Sequence, residues 1–235
     1  MDRARPRVGV LVGMASEAGC LEDRDDLVVR ISGSQPAKAK SLSQDLIGEG
    51  VEGLVSFGLA GALDLRFDPG DLVLAESVID PARRRFAVDA AWRTRFDQAT
   101  NDDFVCVGGL VAGTDRVLGT AEEKAALARE TGAIAVDMES HWVAWAADNA
   151  GLPFLVVRAI VDRADQAVPD VASAGIDADG RPRIWSVVGG LIRRPSAIGD
   201  VFRLARGSAV GLESLERIAP LIVDCLIGHE GEATS

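Results

Sequence analysis

The chain reads as a single α/β domain, residues 1–235, built on a mixed central β-sheet flanked by helices. Three observations predict it. Short β-rich runs alternate with stretches of helical periodicity along the chain. Its 235 residues are enough for one ample core. An apolar share of 48% with only 5% aromatics suits a sheet packed by Ala, Val and Leu.

The first strand is expected over residues 8–12 and a weaker one over 27–31. Pro36 suits the first position of a helix. Ala39, Leu42 and Leu46 mark the inner face of that helix, and Gly48 to Gly50 end it. A strand over 54–57 then enters a glycine loop, which completes an early β-α-β unit. Further strands are expected at 72–78 and 105–111. Thr120-Ala121-Glu122-Glu123 has capping-box spacing and opens a helix that Gly132 stops. A strand over 134–136 leads into a helix over 138–150, where Met138, Trp142, Trp145 and Asn149 recur at helical spacing. Gly151-Leu152-Pro153 ends it, and 154–160 is a β-rich run. Pro169 to Arg183, rich in Asp, Gly and Pro, reads as a mobile loop. The tail reads as helical from Ile184, broken at Pro195 and helical again to Ile227.

The most informative stretch is Val136-Asp137-Met138-Glu139-Ser140 with the strand that follows it. Arg158 interrupts the apolar run 154–160. A buried strand seldom carries Arg without a partner, and Glu139 or Glu17 is the candidate. Asp162 falls just past the strand's C-terminal end, where open α/β sheets bind ligands. Carboxylate, guanidinium and carboxylate would then converge on one crevice. Taken singly, an acid is more often a solvated surface charge, and Arg beside two acids also fits a structural ion pair.

The pattern D/E-M-E-x, then V-V-R-A-I-x-D-x-A-D, resembles the purine and uridine phosphorylase superfamily. Within it the methylthioadenosine/S-adenosylhomocysteine nucleosidase branch is most similar at these motifs. The resemblance covers residues 7–165 and includes the first strand with Glu17, the glycine loop over 56–63, the strand after Pro69, and the segment 113–118. From residue 174 on, the insertion A-D-G-R-P, the R-R-P segment and the form V-D-M-E-S resemble the hopanoid-associated phosphorylases. That group is assigned to removing adenine from adenosylhopane, a lipid nucleoside. The resemblance implies a nucleoside phosphorylase/nucleosidase-like fold with a divergent segment at 174–228, and adenine release in hopanoid biosynthesis. The departure of 175–195 from the ordinary nucleosidase tail, with Ile184, Trp185, Leu191 and Ile192 on an amphipathic stretch, is read in two ways: as a cover for the substrate's 5′ substituent or as core packing.

The same resemblance implies the site. Asp162 protonates the imidazole nitrogen of the leaving purine, from a pocket that raises its pKa by desolvation. Glu17 activates the attacking water and Arg158 helps to place it. Glu139 accepts hydrogen bonds from the ribose hydroxyls, Met138 packs on the sugar, and Val117 and Leu118 meet the purine. No cofactor is implied, and phosphate enters only as the co-substrate of a phosphorylase. Phosphorylases of the superfamily carry an Arg two residues before the first glycine of the loop and a hydroxyl residue after it. Ser56 and Leu59 stand at those positions, which leaves a phosphate Arg158 and the amides of Gly58 and Ala60. Water is therefore favoured, although Leu59 also departs from the Ser or Thr usual in nucleosidases. An ordinary methylthioadenosine/S-adenosylhomocysteine nucleosidase and a phosphorylase are the alternatives. A non-enzymatic nucleoside-binding protein is a further class. Gly58-Leu59-Ala60-Gly61 is not G-x-G-x-x-G, which speaks against a dinucleotide-binding dehydrogenase.

Composition bounds the rest. A net charge of −11 disfavours nucleic acid as a partner. Arg83 to Arg85 read as solvated loop ends, and Arg193-Arg194 allow at most peripheral contact with anionic lipid headgroups. Cys20, Cys106 and Cys225 form no C-x-x-C pair, so reduced thiols and a cytoplasmic location are expected. Two histidines without H-E-x-x-H make zinc a poor expectation, and His141 reads as structural. The basic start before residues 8–14 imitates a signal peptide, but no small-residue cleavage site follows and acids come soon after. No run approaches the ~18 apolar residues of a membrane span. The family resemblance adds the expectation of a homodimer that binds a small purine nucleoside, lipid-linked or free.

Overall fold

The computed structural model describes residues 7–21, 25–100, 104–168 and 198–226. Among them, eight strands form one sheet: β1 (Val8–Val12), β2 (Leu27–Ile31), β3 (Gly53–Ala62), β4 (Leu72–Ile79), β5 (Arg85–Ala87), β6 (Cys106–Gly113), β7 (Ala135–Asp137) and β8 (Phe154–Asp162). The order is β2-β1-β3-β7-β6-β4-β5, and β8 pairs with both β3 and β4. It runs parallel to β3 and antiparallel to β4, so β3, β7, β6, β4 and β8 close a circuit. Neighbours on both edges and cover on both faces explain why the apolar run of β8 is almost continuous. The architecture is the mixed central sheet flanked by helices that the sequence predicts.

The helices are α1 (Ala15–Ala18), α2 (Pro36–Gly48), α3 (Ala90–Thr100), α4 (Ala121–Thr131), α5 (Ser140–Ala150) and α6 (Ile198–Leu226). Pro36 starts α2 as expected. In α4 the Thr120 side chain accepts from the amide of Glu123 at 3.2 Å, and Gly132 ends the helix in the left-handed region at φ 73°. Both ends are therefore set by local chemistry legible in the sequence.

Four expectations need correction. The stretch 56–62 is strand, not loop, because Gly58 and Gly61 let the backbone continue beside β8 with a register shift between Ala60 and Gly61. Strand β5 and helix α3 were not foreseen, since few apolar residues mark them; Trp92 and Phe96 alone carry the buried apolar face of α3. Arg85 belongs to β5 rather than to a loop. Helix α5 begins at Ser140, and its inner face is Ser140, Val143, Ala144 and Ala147, not the Met138–Asn149 stripe. Small residues let α5 approach the sheet closely. Trp142 and Trp145 lie to one side, edge to face at 6.0 Å, with the Lys40 ammonium 4.7 Å from the Trp145 ring. The expected loop at 169–183 and the start of the tail helix at 184 lie outside the described residues. No described helix is long and apolar enough to cross a membrane.

Helix α6 lies on β8 through two glycines. A Cβ at Gly207 would stand 1.9 Å from the Val161 carbonyl oxygen, and one at Gly211 3.3 Å from that of Ile160. At Gly207 backbone meets backbone, so no side chain can move aside. Gly207→Ala is expected to cost about 1–3 kcal/mol through this overpacking. Gly199→Ala, which enters open space in the same helix, should cost nothing. Chemical denaturation of the two variants checks this, and equal midpoints would count against the close contact.

Candidate active site

The C-terminal ends of β3, β7 and β8 meet the N-termini of α1 and α5 around one cleft. Arg158, on β8, is fully buried with 0% exposure. Its Nε lies 2.6 Å from Asp137 Oδ2, and its Nη2 donates to Ser56 Oγ at 2.6 Å and Ser140 Oγ at 3.0 Å. Glu139 Oε2 is farther away, at 3.8 Å. The principal partner is thus Asp137 rather than Glu139 or Glu17. Asp137 also accepts from the amide and hydroxyl of Ser140, which ties the end of β7 to the first turn of α5. Arg158 lies behind the cleft wall, where Asp137, Ser56 and Ser140 take up its guanidinium and none of it is presented to a water.

Glu17, on α1, is buried and gathers three amides. Its Oε2 accepts from Gly13 and Met14 at 2.7 Å each, and its Oε1 from Leu59 at 2.8 Å. Burial nevertheless pushes its pKa above the usual carboxyl value, against the pull of Arg158 and the amides. The amide that faces this site belongs to Leu59, not to Gly58 or Ala60. Gly58 has another role: a Cβ there would lie 2.7 Å from both Arg158 Nη1 and Glu17 Oε1. Ala60 lines the cleft and Gly58 does not.

Glu139 precedes the first turn of α5 without its side chain bonding to the helix amides, and its Oε1 accepts from Ser32 Oγ at 3.3 Å. Burial raises its pKa to about 7, with Arg158 opposing and Asp137 and Glu17 adding to the rise. Asp162 ends β8. Burial lifts its pKa, while the Lys124 ammonium bonded to Oδ2 pulls it down. Met138 and Leu118 line the same cleft together with Val117, which is 37% exposed. The structure thus gathers Glu17, Glu139, Asp162, Met138, Val117, Leu118 and Ala60 at one cleft, with Arg158 and Gly58 behind it.

Sequence reasoning missed Asp137 as a partner, and it missed Lys124 and Ser32 altogether. Lys124 shares a helical stripe with Leu127, Ala128 and Thr131, the signal that places it inside. His141 is buried, its Nε2 3.3 Å from Asp115, and it lies outside the cleft. Burial pushes the Cys20 and Cys106 thiols up to about 11. Among the described residues, no group of His, Cys, Asp and Glu is arranged to hold a metal.

The phosphorylase superfamily pattern matches residues 22–181 of the chain. The chain belongs to the phosphorylase superfamily. A 5′-methylthioadenosine/S-adenosylhomocysteine nucleosidase from Staphylococcus saprophyticus is 29% identical over 130 residues, which is 48% of this chain and 57% of that protein. The chain thus spans little more than half the length of that curated relative. In fold, this superfamily member is similar to the Helicobacter pylori 5′-methylthioadenosine/S-adenosylhomocysteine nucleosidase solved in complex with a pyrrolidinol compound. The TM-score is 0.72 at 16% identity, over 94% of this chain and 99% of that one. The futalosine hydrolase of the same organism gives 0.72 at 16% identity, over 94% and 98%. These relatives overturn the expected hopanoid-associated assignment, because they are methylthioadenosine/S-adenosylhomocysteine nucleosidases and a futalosine hydrolase. The stretch that suggested it, 174–196, lies outside the described residues, as does the proposed 5′ cover.

A carboxyl whose pKa is higher in the folded state than in the unfolded chain binds extra protons when folded. Stability then falls as pH rises from the unfolded value, about 4.3, to the folded one. For Glu139 that window runs up to about 7. Glu139→Gln, which keeps the neutral shape, is expected to raise Tm more at pH 8 than at pH 5. Thermal melts at both pH values check the sign; an equal or reversed gain would contradict the buried, raised carboxyl.

Proposed function

We propose that this chain is a nucleosidase that releases adenine from an adenosine-type nucleoside, with 5′-methylthioadenosine and S-adenosylhomocysteine as its substrate class. One observation carries the reading: two buried carboxyls with raised pKa values, Glu17 and Asp162, face a single cleft beside a third, Glu139. Breaking a bond between sugar and base calls for an acid to protonate the leaving group and a base for the incoming nucleophile. Asp162 takes the first role, at an imidazole nitrogen of the purine. Glu17 takes the second, accepting a proton from water. Glu139 holds the ribose hydroxyls, Met138 packs on the sugar, and Val117 and Leu118 border the base. The curated relative from Staphylococcus saprophyticus supports the substrate class.

The anion balance favours water over phosphate. The amides of Gly13, Met14 and Leu59 already serve the Glu17 carboxylate, and Arg158 is engaged with Asp137, Ser56 and Ser140. A phosphate would have to displace Glu17 or stand beside it, where like charges repel.

Adenine release from 5′-methylthioadenosine and from S-adenosylhomocysteine, with and without phosphate, tests the proposal. Equal rates in both buffers are expected. Release that needs phosphate and yields a sugar phosphate would reassign the nucleophile. Asp162→Asn should fold yet lower kcat by about 10² to 10⁴-fold, the usual contribution of a general acid. Near-normal turnover by that folded variant would remove Asp162 from the mechanism.

A further inference from the structure

Lys124 is 1% exposed and donates in three directions: to Asp162 Oδ2, to the Arg163 carbonyl at 2.8 Å and to the Gln166 carbonyl at 3.0 Å. An ammonium at that position creates a difficulty. An acid catalyst must hold a proton, yet a cation bonded to its oxygen favours the ionised form. The hydrogen-bond pattern resolves this. If the Nζ proton on the Asp162 side crosses to Oδ2, the neutral amine still donates to both carbonyls and its lone pair accepts from the new carboxyl. Every polar group stays satisfied in both proton positions, and the net charge of the pair is unchanged. Burial penalises the separated charges and so brings the two arrangements closer in energy.

We infer that Lys124 and Asp162 form one acid unit that shares a single mobile proton, with Lys124 as its reservoir. The inference rests on the nucleosidase reading for its use in catalysis, but not for the state of the pair. When the glycosidic C–N bond breaks, its electron pair goes to the purine, whose imidazole nitrogen takes a proton from the Asp162 carboxyl. The Nζ–H bond breaks as that carboxyl is supplied, and the electron pair remains on nitrogen. The attacking water forms the new C–O bond and gives its proton to Glu17. Solvent then returns a proton to Nζ and removes one from Glu17, so one water is consumed. Lys124 is a positioning residue, since it acts through Asp162.

Among the described residues, the charge that acts on Asp162 is that of Lys124. The neighbouring Arg163 turns outward to Asp68 and Asp165. The shared proton is therefore held between these two groups alone. With Met at position 124, Asp162 would titrate alone as a buried carboxyl, at a lower pH than the pair.

The experiment compares wild type with Lys124→Met. Carbon-13 NMR of the labelled Asp162 carboxyl should show, in wild type, a chemical shift between the carboxylate and carboxylic-acid values that stays constant from about pH 5 to 9, and in the variant a titration inside that window. The alkaline limb of kcat for adenine release should fall by at least about one pH unit in the variant. A lysine that merely depresses the carboxyl pKa predicts the opposite movement, and a packing role predicts none; either outcome overturns the inference. Should the variant not fold, wild type decides alone, because a carboxyl that titrates in the window, or one fixed at the carboxylate shift, rules out the shared proton. If the NMR result holds and no adenine is released from either nucleoside, the proposed function falls while the proton-sharing pair stands.

Discussion

The buried guanidinium of Arg158 is the constraint on which the rest of the site depends. A charge with no solvent contact has to be met by partners inside the protein, and removing one typically costs about 3–5 kcal/mol. Here the partners come from separate elements: Ser56 from β3, Asp137 from β7 and Ser140 from α5. Holding them around one cation fixes how the end of β7 meets α5. That junction in turn sets the position of Glu139.

One cation is too few for the acids around it. Asp137 takes the short contact, and Glu139 and Glu17 are left with weaker attraction and full burial. Their raised pKa values are the result. Asp162 stands apart with a cation of its own, Lys124, from a different helix. The cleft thus has two electrostatic compartments, one of acids gathered around Arg158 and one of a single acid paired with Lys124. Such a division suits a reaction that needs an acid and a base at the same moment.

Space at this junction is made by glycine. Gly13 leaves room for the carboxylates of Glu139 and Glu17, with a Cβ there only 3.0 and 3.3 Å from their oxygens. Gly58 sits opposite Arg158 in the β3–β8 register and keeps the guanidinium and Glu17 in place. The glycines that suggest a turn in the sequence therefore serve close approach of charged side chains. This is why β3 continues as strand where a loop was expected.

The sequence by itself determined the alternation of strands and helices, the capping of α4, the start of α2 at Pro36 and the acids at the ends of β7 and β8. These depend on neighbours within a few residues, or on the apolar period of one segment. Resemblance to the superfamily's motifs also placed Glu17, Glu139 and Asp162 among the candidates. The inner face of α5 was misread because Trp is the larger apolar residue, whereas helix-to-sheet distance selects Ala and Val. Only the tertiary structure decided which acid pairs with Arg158, that Lys124 reaches Asp162, and that Leu59 rather than Gly58 offers its amide. Those are contacts between residues 21 to 42 positions apart. Their geometry follows from sheet register and from the cost of leaving a buried charge unpaired, and neither is written in any local stretch of sequence.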